Sequence, residues 1–216
     1  MIIYTAITAN YDQLKEQPSH EQPGLLFEAF LDREYISQTW NIRRAISMFS
    51  NSRLNAKYHK ILSHICFPDD QVTLWIDGSV KINPAISIIN LVNQFLSHSD
   101  LAVFAHCERY CIYQESATCL HRRKDVSKTI CHQVFRYAQE GYPINNGLAE
   151  CTILLRRNTK KVREFNELWW NEILTGSIRD QISFPYVAWK TGLKINYIPG
   201  TVGDGTLFTR KAHLKS

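Results

Sequence analysis

Apolar residues along this chain fall into two rhythms. Short runs rich in β-branched and aromatic side chains recur at Ile2 to Thr8, Leu25 to Leu31, Val72 to Ile76, Leu101 to Ala105, Cys151 to Leu155 and Leu193 to Ile198. Their length and composition read as buried strands. Between several of them, apolar positions return every three to four residues. Asn83 and Pro84 offer an N-cap and first-turn pair for a helix through Ala85, Ile88, Ile89, Val92 and Phe95 to about Ser97. Asp125 is placed to cap a helix bearing Val126, Ile130, Val134 and Tyr137, stopped by Gly141; a third runs from Lys160 to Thr175 and is closed by Gly176. Alternating strands and helices predict a single α/β domain with a mostly parallel central sheet flanked by helices. Residues 10–24 and 107–124 read as loops, and the glycine-containing stretch from Pro199 to Ser216 as a flap or a frayed end.

In such a sheet, ligands bind outside the carboxyl ends of the strands, so the residues that follow each run matter most. Asp77 ends the third run, followed by Gly78 and Ser79; Thr8, Asn10, Tyr11 and Asp12 follow the first, His106 and Arg109 the fourth, Arg156 and Arg157 the fifth. If the strands are parallel, these groups share one edge. Carboxylates, an imidazole and guanidiniums there suit a metal-bridged diphosphate, because hard oxygens hold a cation while cationic side chains and backbone amides hold phosphate. The plainer alternative is that some of them cap helices or solvate loops. Asp180 has the same two readings, as an N-cap for the turn leading to Pro185 or as a catalytic carboxylate. Trp169 and Trp170 diverge by about 100° on a helix, so one indole enters the core while the other is free to meet an interface or a sugar.

Composition narrows the class. The chain has 216 residues, 44% of them hydrophobic and 12% aromatic, enough for one sizeable core. The net charge of +5 favours anionic ligands, yet the basic residues are dispersed except for Arg122-Arg123-Lys124. No nucleic-acid motif accompanies that cluster, so nucleic acid is not expected as a partner. The six cysteines are scattered, with no secretory leader and no run of membrane-spanning length; this leads us to expect a cytoplasmic protein, compatible with peripheral association at the inner face of a membrane. Cys107, Cys111, Cys119 and His121 lack the paired short knuckles of a structural zinc site. No P-loop, GxGxxG fingerprint or GxSxG elbow occurs.

A series of short motifs runs in order through the chain: Tyr4-Thr5-Ala6-Ile7-Thr8 with Tyr11-Asp12, Lys60-Ile61-Leu62-Ser63-His64, Trp75-Ile76-Asp77-Gly78-Ser79, His106-Cys107-Glu108-Arg109 with Tyr113 and Glu115, Gly147-Leu148-Ala149-Glu150, Trp169-Trp170-Asn171-Glu172 and Arg179-Asp180-Gln181-Ile182-Ser183-Phe184. The series resembles a family of glycosyltransferase-like proteins found at bacterial polysaccharide loci and among plant Golgi proteins linked to mucilage and turgor. The resemblance implies a GT-A-like (Rossmann-like) fold and a hexosyl donor in the form of a nucleotide-diphosphate sugar. It also implies a glycan or other hydroxyl acceptor in surface polysaccharide synthesis, and a divalent cation, Mn2+ or Mg2+. By the same likeness, Thr5, Ala6, Thr8, Tyr11, Asp12, Lys60, His106, Arg109 and Arg179 would hold the donor, and Asp77 would stand at the first acid of a DxD-type motif. Ser79 occupies the second acidic position, and a hydroxyl is a weaker ligand than a carboxylate, so His213, water or the donor phosphates would complete the metal shell.

Transfer requires the departing diphosphate to be stabilised, and an inverting enzyme also needs a base for the acceptor hydroxyl. Asp180 is the first candidate for that base and Glu150 the second. Two other classes compete with an enzyme. One is a non-catalytic nucleotide-sugar or carbohydrate-binding protein on the same fold, suggested by Ser79 in place of an acid. The other is a nucleic-acid-binding protein with steeply salt-dependent affinity.

Overall fold

The structure, a computed structural model, describes residues 1–210. In chain order it contains β1 (Ile2–Ile7), β2 (Leu26–Leu31), β3 (Asn41–Arg44), α1 (Ser52–Ile61), α2 (Ser63–Cys66), β4 (Val72–Ile76), β5 (Val80–Ile82) and α3 (Ile88–Phe95). There follow β6 (Leu101–Ala105), α4 (Ile112–His121), α5 (Ser127–Gln139), β7 (Ala149–Arg157), α6 (Lys160–Thr175), α7 (Asp180–Thr191), β8 (Ile195–Ile198) and β9 (Phe208–Arg210). Seven strands form the central sheet in the order β3-β2-β1-β4-β7-β6-β8, and β5 pairs with β9 in a separate two-stranded ribbon.

Period-two alternation divides the core. Along β1, Ile2, Tyr4 and Ala6 enter one apolar layer, with Trp75, Phe165, Trp169 and Phe184, while Ile3 and Ile7 enter the other, with Leu74, Val80, Phe95 and Phe208. The sheet is therefore covered on both faces, which is why its strands read as continuous apolar runs.

Pairing around β7 departs from the all-parallel expectation. β7 runs antiparallel to both β4 and β6, whereas β1, β2, β3, β4, β6 and β8 run one way. A strand reversed in this way presents its amino end where its neighbours present their carboxyl ends. Glu150 therefore lies on the edge carrying Asp77 and His106, and Arg156 and Arg157, placed on that edge by the sequence, lie at the far end.

Other differences have local causes. Residues 107–124 contain the helix α4, whose apolar positions are few because its inner face carries Glu115 and Ser116. The helix expected from Asn83 begins at Ile88, capped by the Ser87 hydroxyl, while Asn83 bonds the backbone of Gly205 and Thr206. Asp125 does not cap α5, whose N-cap is Val126; its Oδ2 accepts instead from the Ser177 hydroxyl and the Ile178 amide, at 2.7 and 2.8 Å. Asp180 is the first residue of α7 and Arg179 its N-cap. Trp169 is fully buried with its indole N–H on Ser183, and Trp170 packs edge-on against Phe49 and Tyr58, so neither indole is a free platform.

Candidate active site

A cleft of about 610 Å3 opens along the edge where β1, β4 and β6 end and β7 begins, a volume typical of small-molecule sites. Its floor is the turn after β1, where Ala9 and Asn10 adopt φ of 53° and 54°. Positive φ is uncommon outside glycine, and Asp32 steadies the turn by accepting from the Ala9 amide at 2.6 Å. The Thr8 hydroxyl donates to the Ser52 carbonyl at 2.7 Å and ties this turn to the start of α1. Beside it the Asp77 carbonyl accepts from the Val80 amide, forming the tight turn between β4 and β5. A Cβ on Gly78 would come within 2.7 Å of the Ile7 side chain, so glycine lets these two strand ends pack without Ile7 having to shift.

Helix α1 forms the wall above. Asn51 caps it by accepting from the Arg53 amide at 3.1 Å, and its inner face turns Arg53, Lys57 and Lys60 toward the cleft. Its other end is held from below. The Arg156 guanidinium, fully buried, donates to the Lys60 carbonyl at 2.7 Å, the Ile61 carbonyl at 3.0 Å and Asn166 at 3.0 Å, and the Tyr4 hydroxyl donates to the same Lys60 carbonyl at 3.1 Å. A cation on the last carbonyls of a helix satisfies orphan acceptors and complements the macrodipole. Arg156 thus fixes the end of the helix that carries Lys60.

The centre of the cleft is a chain of alternating charges. Lys57 bonds Asp180 Oδ1, Lys60 bonds Asp180 Oδ2 at 2.8 Å and Asp77 Oδ1 at 3.1 Å, and the Trp75 indole N–H donates to the same Asp77 oxygen at 2.7 Å. Burial by itself would raise Asp180, but Lys57 and Lys60 outweigh it and hold the carboxyl well below the usual range. Burial would lower Lys60, but Asp180 and Asp77 outweigh it and keep the ammonium charged. Lys57 is lowered, by burial and by the neighbouring Lys60.

Toward β6, Arg109 bonds Glu115 at 2.7 Å and Arg179 lies 3.7 Å from its other oxygen, so two guanidiniums flank one buried carboxylate. His106 Nδ1 accepts from the amides of Glu108 and Arg109; burial and then Arg109 lower its pKa, so it is neutral at pH 7. Glu150 Oε1 accepts from Thr152 at 3.1 Å and from Arg210 at 3.2 Å, and among the described residues no hydrogen bond reaches Oε2.

Of the residues singled out in the sequence, Ala6, Thr8, Tyr11, Asp12, Lys60, Asp77, His106, Arg109, Glu150, Arg179 and Asp180 all line this cleft. Thr5 does not: its side chain is buried within β1. Ser79 does not either, because its hydroxyl is sealed behind the turn, without a partner among the described residues. His213 lies outside the described residues. Among those residues no three His, Cys, Asp or Glu side chains come together to hold an ion. Asp77 is the one expected metal carboxylate, and one of its oxygens already meets an ammonium and an indole N–H. Among the described residues, then, no set of side chains holds a divalent cation on its own.

Arg53, Lys57 and Arg210 were not anticipated from the sequence. The first two had a legible signal, the i, i+4, i+7 spacing of Arg53, Lys57 and Lys60. Arg210 had none, since only the pairing of β9 with β5 brings it to the cleft.

The profile of the TOD1/MUCI70, glycosyltransferase-like domain matches residues 26–199. The chain belongs to this family. It is 30% identical over 159 residues, 69% of its length, to the probable hexosyltransferase MUCI70 of Arabidopsis thaliana. It is 22% identical over 157 residues to the alkaline ceramidase TOD1 of the same plant. It spans 27% and 34% of the length of these two relatives. Among solved structures, a glycosyltransferase involved in glycosylation of the major capsid of PBCV-1 superposes with a TM-score of 0.52 at 10% identity, covering 97% of this chain and 92% of that one. The bifunctional glycosyltransferase WbbM gives 0.51 at 9% identity, covering 92% of this chain and 38% of that one. The fold is that of GT-A glycosyltransferases.

Proposed function

We propose that this glycosyltransferase-like domain moves a hexosyl group from a nucleotide-diphosphate sugar to a hydroxyl of a glycan acceptor, in the synthesis of surface polysaccharide. The observation that carries the reading is the convergence, on one edge, of the α1 cations with the carboxylate of the reversed strand β7. Donor binding places the nucleoside against the β1 turn from Ala6 to Asp12 and the diphosphate under α1. In a single displacement the bond between the anomeric carbon and the diphosphate oxygen breaks, and its electron pair leaves with the diphosphate. The acceptor oxygen bonds the anomeric carbon and surrenders its proton.

Glu150 rather than Asp180 takes that proton. Both Asp180 oxygens are engaged by lysines, and a carboxylate held far below its usual pKa is a weak base. Among the described residues, Glu150 keeps one oxygen free of hydrogen bonds. Asp180 instead fixes the positions of Lys57 and Lys60. Amide hydrolysis, suggested by the name of the ceramidase relative, is a poorer match, because charged side chains crowd the cleft where a lipid would need an apolar channel. A cytoplasmic location against a membrane-held acceptor belongs to the same proposal, to be checked by fractionation. Among the described residues no helix is long and apolar enough to cross a membrane.

The test is a screen of nucleotide hexoses, with and without saccharide acceptors and with manganese present throughout, reading release of nucleoside diphosphate. Release from one donor, raised by an acceptor and lost in Glu150→Gln, is the expected result. Tight donor binding without release under every acceptor would make the domain a nucleotide-sugar-binding module.

A further inference from the structure

Arg53, Lys57 and Lys60 form a cationic stripe at i, i+4 and i+7 on the cleft face of α1, and what holds each of them differs. Lys60 is almost fully buried between two carboxylates. Lys57, 13% exposed at its side chain, meets one acceptor, Asp180 Oδ1, although an ammonium carries three donors. Arg53 is exposed at the mouth and forms no ion pair among the described residues. The stripe thus grades from a fixed charge at the back to a free guanidinium at the front, and it begins at the amino end of a helix, where the dipole also favours an anion.

The turn at Asp77 provides the opposite. Its carboxylate is already countered by Lys60, the hydroxyl two residues on is sealed inside, and no group of three ion-holding side chains is found among the described residues. We propose that the α1 stripe itself neutralises the donor's diphosphate, Arg53 and Lys57 by contact and Lys60 by its fixed charge, without a resident divalent cation. This rests on the donor reading above and replaces the cation expected there. Guanidinium and ammonium groups bond phosphate oxygens directly, so the negative charge that develops as the anomeric bond breaks is met by groups already in place.

Titration calorimetry of inorganic pyrophosphate and of UDP into the full chain, in EDTA and separately in manganese, tests it. Pyrophosphate should bind in EDTA. Lys57→Met and Arg53→Gln should each weaken that binding by about tenfold, the loss of one charge-assisted contact, while Asp77→Asn, which removes a carboxylate competing for Lys60, should not weaken it. Arg53 is exposed and forms no ion pair among the described residues, so its variant reports on binding even if Lys57→Met folds poorly by circular dichroism. Binding that needs manganese and vanishes in Asp77→Asn would overturn the proposal, as would binding in EDTA that neither stripe variant weakens. Sugar transfer seen with manganese and abolished by EDTA would overturn the stripe and leave the transferase intact. A failure of every nucleotide hexose in both buffers would instead remove the transferase reading, with the pyrophosphate titration still reporting on the stripe.

Discussion

Replacing Asp180 with asparagine separates two jobs that a carboxylate in this cleft could have. The native side chain is more than nine-tenths buried, with one oxygen on Lys57 and the other on Lys60. Asparagine keeps the shape and removes the charge, leaving two ammoniums with Asp77 as their remaining counter-charge. Breaking a buried ion pair from one side costs about 3–5 kcal/mol, and because both lysines border an open cleft the lower end, about 3 kcal/mol, applies. For a chain of this size each kcal/mol is worth about 2–4 °C, so Tm should fall by about 6–12 °C in a thermal melt. Pyrophosphate affinity should move the other way, tightening by about tenfold, since Asp180 no longer competes for Lys57. Turnover, measured well below the lowered Tm, should stay within about tenfold of wild type. A Tm change under about 2 °C would refute the double clamp. A hundredfold loss of turnover with donor affinity intact would return Asp180 to the role of base.

Three further outcomes follow from particular contacts. Glu150→Gln should lower kcat by about 10²- to 10⁴-fold, while donor Kd, read by calorimetry, stays within about twofold; an equal loss in both would make Glu150 a binding residue. Arg156→Met leaves the Lys60 and Ile61 carbonyls without their buried donor and should cost about 3–5 kcal/mol in urea unfolding, against under about 1 if the guanidinium merely fills space. His59 stacks on Phe30 and accepts from the Ile46 amide, and burial pushes its pKa from 6.5 down to about 4. Below pH 6.5 the unfolded chain binds a proton that the native imidazole refuses until about pH 4. Stability should therefore fall as pH drops through that window, by up to roughly 3 kcal/mol. His59→Gln, which still offers an acceptor, should flatten this part of the pH profile of Tm.

Much of the frame was legible because it obeys local rules. The six apolar runs became sheet strands, and the helix from Lys160 to Thr175 stands where its spacing placed it, capped by Thr159 and ended at Gly176. The elements that were missed have physical reasons. α1 carries its charges on an inner face, so the usual apolar stripe is interrupted by Arg53, Lys57 and Lys60. β3 is a short edge strand with mostly exposed residues, and α4 buries a glutamate on its inner side. Sequence alone puts Arg156 and Arg157 at the wrong end of the sheet, because a strand's direction is not written in its own residues.

The sequence by itself determined the layered α/β domain, the carboxylate at the end of β4 and the ordered motifs of its family, since strand period, glycine placement and motif order are properties of short segments. Only the tertiary structure decided which groups meet. Reversal of β7 brought Glu150 to the cleft and carried Arg156 beneath it, the path of α1 set Lys57 and Lys60 against Asp180, and pairing of β9 delivered Arg210. The bond from Lys57 to Asp180 alone joins residues 123 positions apart. Strand direction and long-range pairing are settled by how whole faces bury against one another, a balance no local window of the chain contains.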